Sequence, residues 1–121
     1  MSGELQIQDW NDLVSESNWR KGEIIAKWWA KQGETGTPPT DAANERFAQT
    51  VGGITAAQVQ RLHRVHYRFS SIRHAAKYHL LRWAHFYAAL EWDDALNWLA
   101  TAQRSDWSVA DMRKARWESI Q

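Results

Sequence analysis

Residues 47–65, FAQTVGGITAAQVQRLHRV, contain a helix start that can be recognised from the side chains alone. Thr55 and Gln58 have the spacing of a capping box, in which each side chain satisfies a free backbone N–H of the first turn. After them, apolar residues recur three and four positions apart, which is typical of an amphipathic helix. The stretch therefore predicts a helix that opens at Ala56 and runs to about Phe69.

A second helix is predicted on the N-terminal side of the glycine pair Gly52 and Gly53. Thr40 and Asp41 can each cap its start with a side-chain oxygen. The helix then runs to Val51. The two glycines stop it there, because they adopt backbone conformations that other residues avoid.

The rest of the chain also favours helix, because strict apolar alternation is absent and β-branched residues are sparse. We therefore predict an all-α fold, a compact single helical domain over residues 1–121 with five to six helices and a Trp-rich core. Most of the nine tryptophans should fill that core, and one or two should be exposed anchors for a partner. The other predicted elements are a turn at 10–14, a helix at 19–32 covered on two sides, a loop at 33–41, a buried helix at 73–92, a short helix capped by Asp93, and a last helix opened by Ser108 with Asp111.

Charge is distributed unevenly along the chain, although the net charge is only +1. Residues 46–90 contain seven Lys or Arg, all five histidines and no acid, whereas residues 1–45 carry a net charge of −4 and residues 91–121 one of −2. A local concentration of positive charge is typical of proteins that bind a polyanion. A basic face that contacts acidic neighbours within the same fold would give the same pattern.

The helix predicted after Thr55 separates apolar from polar side chains when its residues are placed about 100° apart. A short side chain allows close approach to a DNA groove, Gln can pair with adenine, and Arg can pair with guanine or a phosphate. An ordinary solvated amphipathic helix is the alternative. The apolar side holds Val59, Leu62, His66 and Phe69, and the polar side holds Ala57, Gln60, Arg61, Arg64 and Arg68.

Residues 47–65 resemble the helix-turn-helix of bacterial and phage DNA-binding proteins, including ParB-like partition proteins. In such motifs a small residue in the first helix allows close packing, a Gly turns the chain, and apolar residues seal the helix pair. Ala48 matches the small residue and Gly52 the turn, while Gly53 lengthens the turn by one residue. The resemblance implies double-stranded DNA as the partner, with residues 56–68 in the major groove. The matching seal residues are Phe47, Val51, Ile54, Val59 and Leu62, and the candidate DNA contacts are Thr55, Ala57, Gln58, Gln60, Arg61, Arg64, Arg68, Arg73 and Lys77.

The resemblance assigns residues 40–69 to the helix-turn-helix and implies a regulator of transcription or of phage or plasmid functions. Residues 81–117 are similar to the helical segment that follows such motifs in uncharacterised phage and plasmid proteins. That similarity implies that residues 73–121 form a packing or dimerisation segment of a homodimer. Its core would contain Trp92, Trp98 and Trp107.

Composition argues against export and membrane insertion. The chain has no cysteine, which excludes disulfides and thiolate zinc sites and favours a cytoplasmic location. No apolar run is long enough to span a membrane, and the N-terminal sequence MSGELQIQDW lacks the features of a signal peptide.

Metal binding and catalysis find little support in the residues. His63 and His66 could share a helix face, but a zinc site would need one or two more histidines from another helix, drawn from His74, His79 and His85. Three carboxylates cluster near residue 93, without a phosphate-binding loop or a nucleophile elbow. We therefore expect no cofactor, no metal and no enzyme activity. The three carboxylates are Glu91, Asp93 and Asp94.

Two other functions fit the same residues. One is a helical protein-interaction module that binds an acidic partner through a basic, Trp-containing face. The other is single-stranded nucleic-acid binding, because Arg, His and aromatic residues interleave between Arg61 and Tyr87. One exposed face shared by the arginines after Thr55 would favour DNA, whereas a flat apolar patch containing Trp would favour a protein partner.

Overall fold

The computed structural model describes residues 2–32 and 40–121, and within these ranges it contains six helices and no strand. The prediction of an all-α chain is confirmed. The chain divides into two compact units, residues 1–68 and residues 69–121. The helices are α1 (Ser2–Lys31), α2 (Asp41–Val51), α3 (Ala56–Phe69), α4 (Trp83–Ala88), α5 (Ala95–Arg104) and α6 (Val109–Ser119).

The first helix is longer than predicted. A separate turn at 10–14 and a helix at 19–32 were both expected, whereas α1 runs without interruption from Ser2 to Lys31. Residues 4–21 contain neither proline nor glycine. Their Ser, Asn and Asp residues are only weakly unfavourable in a helix, and they do not end one by themselves.

One side of the C-terminal half of α1 faces the core of the first unit. Trp19, Ile25 and Trp29 are buried there, and Gly22 is buried among them. The prediction that both sides of this helix would be covered is only partly right, because on the other side Ile24 is 49% exposed, whereas Trp28 is half-buried. The helix therefore has one buried face and a second side that is covered only toward its end.

The second helix begins and ends where the capping signals placed it. The Thr40 side chain accepts a hydrogen bond from the Ala43 N–H at 3.2 Å, which caps the first turn of α2. At the other end the Gly52 N–H donates to the Ala48 carbonyl at 2.9 Å. Gly52 and Gly53 have φ angles of 78° and 73°, in the region that favours glycine. Of the predicted loop at 33–41, residues 33–39 lie outside the described ranges.

In the second unit, the long buried helix predicted at 73–92 is wrong. Only α4, six residues long, is helical there, and the chain from Phe69 to Leu81 forms successive turns. These turns are closed by hydrogen bonds between residues three apart, from 72 to 69, 75 to 72, 78 to 75 and 81 to 78, at 2.9 to 3.1 Å. The Gln103 side chain holds this segment by donating to the Ala76 carbonyl and accepting from the Leu80 N–H. A partner so distant in sequence cannot be seen in local periodicity.

The N-terminal cap of α5 also differs from the prediction. Asp94, not Asp93, occupies the N-cap position, and its side chain makes no capping hydrogen bond. The Asp94 carboxylate instead accepts from Trp98 Nε1 at 2.8 Å and from Arg116 Nε at 3.0 Å. It therefore connects α5 with α6.

The last helix starts as predicted. The Ser108 hydroxyl accepts from the Asp111 N–H, and the Asp111 carboxylate accepts from the Ser108 N–H, both at 3.1 Å. Met112 is fully buried one residue later. The rest of the core of this unit consists of Phe69, Tyr78, Phe86, Ala89, Leu90, Ala95, Leu99 and Ala102.

Candidate nucleic-acid interface

The start of α3 is fixed by the capping box that the sequence predicts. The Thr55 N–H donates to Gln58 Oε1 at 2.8 Å, and the Gln58 N–H donates to Thr55 Oγ1 at 3.1 Å. A turn of four residues, 52–55, separates α2 from α3. The side chains of Thr55 and Gln58 therefore hold the helix start, and both residues are exposed.

The inner face of α3 is mostly apolar and mostly buried. Val59, Leu62 and Val65 are buried in the first unit, and the terminal Phe69 is buried where the second unit begins. Of the predicted inner-face residues, Val59, Leu62 and Phe69 are buried and His66 is half-buried. Val65 was not among them. Its position three residues from Leu62 and four from Phe69 is the signal that identifies it.

The outer face of α3 holds all the polar residues that the sequence placed there, and each of them is exposed. On a helical wheel they fall within an arc of roughly 120°, with the arginines spaced three or four residues apart along the helix. No carboxylate lies anywhere on α3. These residues are Ala57, Gln60, Arg61, Arg64 and Arg68.

An aromatic residue that the sequence analysis missed lies at the edge of this outer face. Tyr67 is 61% exposed, beside Gln60 and Arg64 on the wheel. Its ring stacks on that of His63 with the centroids 6.0 Å apart and an angle of 28° between the planes. Because His63 is buried, it holds the Tyr67 ring in place while most of the Tyr67 side chain stays exposed. Helical spacing from Gln60 and Arg64 would have identified Tyr67.

Burial keeps His63 from adding positive charge to the face at neutral pH. Burial lowers the pKa of His63 below its ordinary value, and the nearby His66 lowers that pKa further. His63 is therefore neutral near pH 7.

Within residues 2–32 and 40–121, no three residues of the metal-binding types His, Cys, Asp and Glu come together in a group that could hold a metal ion.

The α1 and α3 helices pack unusually closely at Gly22. A Cβ atom built on Gly22 would lie 2.6 Å from the Leu62 carbonyl oxygen and 2.8 Å from the Cβ atom of His66. Only glycine fits between the helices at this point. The contact lies on the side of α3 opposite to its arginines, so α1 supports α3 from behind.

The expected seal between α2 and α3 is partly wrong. Val51 was predicted to help close the helix pair, whereas its side chain is 60% exposed. Ala48, the predicted small residue, is buried, and Ile54 is half-buried. Val51 is the last residue of α2, where the chain turns away before its side chain can be covered.

The other predicted seal residue, Phe47, packs toward the end of α1. Its ring meets that of Trp28 edge-on, with the centroids 5.3 Å apart. The guanidinium carbon of Arg46 lies 5.9 Å from the centroid of the same Trp28 ring. Periodicity within 47–65 could not show this partner, because Trp28 precedes the motif by almost twenty residues.

Two of the predicted DNA contacts belong to the second unit. Arg73 is half-buried and Lys77 exposed, both in the turns that follow α3. The Lys77 ammonium lies 5.3 Å from the ring centroid of Tyr78. The other seven predicted contacts lie on α3 or at its start, so the first unit contains most of the candidate interface.

None of the nine tryptophans belongs to α3. Trp19 and Trp29 are buried, whereas Trp10 and Trp117 are exposed. Neither exposed ring is on α3, so the basic face contains a Tyr and no Trp. The remaining five, including Trp92, Trp98 and Trp107 of the second unit, are half-buried.

Comparison with protein-family models, curated proteins and solved structures finds no match to this chain. Among the described residues, no helix is both long enough and apolar enough to cross a membrane. The function must therefore be inferred from the residues of the site themselves.

Proposed function

We propose that this protein binds double-stranded DNA, with α3 lying in the major groove as the reading helix. The observation that carries the proposal is the outer face of α3, where Gln60, Arg61, Arg64 and Arg68 are all exposed on one side of a single helix. The major groove accepts one α-helix, and Arg and Gln are side chains that pair with guanine and adenine there.

The position of each residue along α3 gives it a role. Ala57 lies in the first turn, where its small side chain lets the helix approach the base edges. Gln60 and Arg61 follow on the next turn, and the N-terminal part of a reading helix is the part that contacts bases. Arg68 lies about two turns further on and would contact the phosphate backbone.

The support behind α3 favours the same function. A reading helix must be held rigidly, because a shift of the helix moves every base contact at once. The buried inner face of α3 and the close contact at Gly22 provide such a support within one unit. The acid-free stretch 46–90 supplies further cations for phosphates, including Arg73 and Lys77. The proposed role is that of a cytoplasmic regulator of transcription or of phage or plasmid functions.

The test is a binding measurement by fluorescence anisotropy on labelled duplexes, first a random-sequence pool and then the preferred site selected from it. Affinity should fall steeply as salt is raised, because phosphate contacts release counterions. Arg61→Ala should cost about 1–3 kcal/mol on the preferred site and relax its specificity. Arg68→Ala should weaken all sequences alike and flatten the salt dependence by about one unit.

Two control variants separate these effects from nonspecific ones. Arg113→Ala removes the same charge from an exposed position on α6 and should leave both affinity and specificity close to wild type. Thr55→Ala removes the cap of α3 and should lower stability by roughly 0.5–2 kcal/mol without changing the preferred sequence. Failure to detect duplex binding at low salt, with the chain folded, would refute the proposal.

An acidic protein partner is the second candidate, and the exposed Tyr67 favours it. Tyrosine and arginine are the residues that most often supply binding energy in protein interfaces. In that case Tyr67→Ala and Arg64→Ala should each abolish capture of the partner. Arg61→Ala and Arg68→Ala would then have equal and small effects on DNA.

A further inference from the structure

The N-terminal half of α1 carries large apolar side chains that stay exposed within the part of the chain that the structure describes. Ile7, Trp10 and Leu13 are between 63% and 67% exposed, and Val14 is also exposed. Their spacing of three and four residues places them on one side of the helix. Large apolar residues grouped in this way mark a surface that binds a partner.

This apolar stripe continues along the same side of α1 into its second half. Ser17 lies at its centre, and Ile24, which is 49% exposed, lies beyond it. Between them the side chains of Arg20 and Lys21 are exposed as well. The stripe thus runs for almost twenty residues along a side of α1 that lies about a third of a turn around the helix from the centre of its buried face.

The two halves of α1 have opposite charge. Residues 2–16 contain four acids and no base, whereas residues 20–31 contain four bases and one acid. A parallel pair of such helices would bring acid against acid. An antiparallel pair would bring the acidic half of each against the basic half of the other.

We propose that two copies of this chain associate through α1, in an antiparallel pair whose two-fold axis passes close to Ser17. In this register Trp10 of each copy lies opposite the partner's Ile24, and Leu13 lies opposite the partner's Lys21, whose aliphatic stem can cover apolar surface. At one edge of the stripe, Asp9 comes level to within about 3 Å with the partner's Lys27, which also pairs with Glu23 of its own helix at 2.8 Å. Such an isologous contact closes on itself and yields a dimer.

The expected strength follows from the size of the contact. Residues 7–27 form a strip roughly 30 Å long and about 10 Å wide on each copy. Its summed area of roughly 600 Å² lies below the range of about 1,200–2,000 Å² for stable specific interfaces, where only weak complexes form. The dimer should therefore form only at high micromolar concentrations, and it does not depend on DNA binding by α3.

The first measurement is the mass in solution by sedimentation velocity, from about 1 to 300 µM. The 14.1 kDa chain should approach twice that mass at the upper end of this range. The double variant Trp10→Ser with Leu13→Ser should lose dimerisation by at least tenfold in Kd. Leu5→Ser is the matched control, since Leu5 is 64% exposed on the opposite, acidic side of α1 and should leave the Kd unchanged.

Charge exchange tests the register. Asp9→Lys should weaken the dimer several-fold, because it places the new lysine beside the partner's Lys27 in both copies of the pair. Adding Lys27→Glu to the same chain reverses both members of the pair and should restore the affinity to within about twofold of wild type. Failure of the double variant to recover would overturn the register.

Cysteine cross-linking tests the direction of the pair, since the chain has no cysteine of its own. In a glutathione buffer, Leu13→Cys mixed with Lys21→Cys should give a disulfide-linked dimer, and Ser17→Cys should cross-link to itself. Strong cross-linking of Leu13→Cys alone would indicate a parallel pair and overturn the proposal. A chain that stays monomeric at 300 µM, or a dimer that is unaffected by the Trp10 and Leu13 substitutions, would overturn it too.

Discussion

Replacement of Gly22 by alanine tests the packing that holds α3 in place. In an uncrowded helix this change stabilises a protein, because alanine is favoured over glycine by about 0.8–1.0 kcal/mol. At Gly22 the new methyl group would lie 2.6 Å from the Leu62 carbonyl oxygen, and ordinary contact begins at 3.4 Å. The two helices must therefore move apart by about 0.8 Å.

The magnitude of the effect follows from what obstructs the methyl group. The Leu62 oxygen belongs to the backbone and the Cβ atom of His66 is attached to it, so neither can rotate away. Overpacking of this kind costs typically 1–3 kcal/mol, and the upper half of that range applies where backbone must move. After subtraction of the helix preference for alanine, a net loss of about 1–2 kcal/mol remains.

Urea unfolding followed by circular dichroism at 222 nm measures this loss as a lower midpoint with an unchanged slope. Gly3→Ala is the matched control, because Gly3 lies in the same helix and no atom would lie within 4 Å of its new methyl group. That variant should be as stable as wild type or slightly more so. Equal or greater stability of Gly22→Ala would refute the close packing of α1 on α3.

Two further predictions concern buried polar groups. Burial lowers the pKa of both His63 and His85 below 6.5, so only the unfolded chain takes up protons at these positions as the pH falls through 6.5. The free energy of unfolding should therefore decrease as the pH is lowered from about 7.5 to about 5, and His85→Gln should make that decrease smaller. Equal stability of the wild-type protein at the two pH values would contradict this prediction. Gln103→Ala should lower stability by about 0.5–1.5 kcal/mol and speed hydrogen exchange at the Leu80 amide, whose N–H bonds to Gln103 at 2.9 Å. Unchanged exchange at Leu80 would show that the turns hold without Gln103.

The state of His85 explains why its pKa matters to the fold. Its Nε2 atom lies 2.9 Å from the Trp107 carbonyl oxygen, and its Nδ1 accepts from the Arg82 N–H at 3.4 Å. A carbonyl oxygen only accepts, so Nε2 carries the proton of the neutral ring. Protonation of Nδ1 would set it against the Arg82 N–H and break the hydrogen bond at the start of α4, while the Nε2–H bond to the Trp107 carbonyl would remain.

Helix starts could be predicted from the sequence because their hydrogen bonds join residues three apart. Thr40, the pair Thr55 and Gln58, and the pair Ser108 and Asp111 each contain donor and acceptor within one turn. The polar face of α3 could be predicted equally well, since a helical wheel needs only the order of the residues.

The errors arose where a distant residue determines the local structure. The turns at 70–81 bond to Gln103, and the carboxylate of Asp94 bonds to Arg116 instead of capping its own helix. Val51 is apolar and has the helical spacing of a residue that packs against α3, but the helix ends at Val51 and its side chain stays exposed. Periodicity shows which side of a helix is apolar, but it does not show which other part of the chain packs against that side.

The stability of the first unit and its proposed DNA affinity can be separated with Gly22→Ala. A domain with 5–15 kcal/mol of stability remains more than 99% folded after a loss of 1–2 kcal/mol. If α3 keeps its orientation, the DNA affinity of Gly22→Ala should therefore match wild type at 25 °C. An affinity lost together with specificity, in a protein that circular dichroism shows to be folded, would mean that the displacement of α1 tilts α3 and misplaces Gln60 and Arg61. That result would show that the contact behind α3 sets the geometry of base reading, since Gly22 itself lies on the opposite side of the helix from the groove.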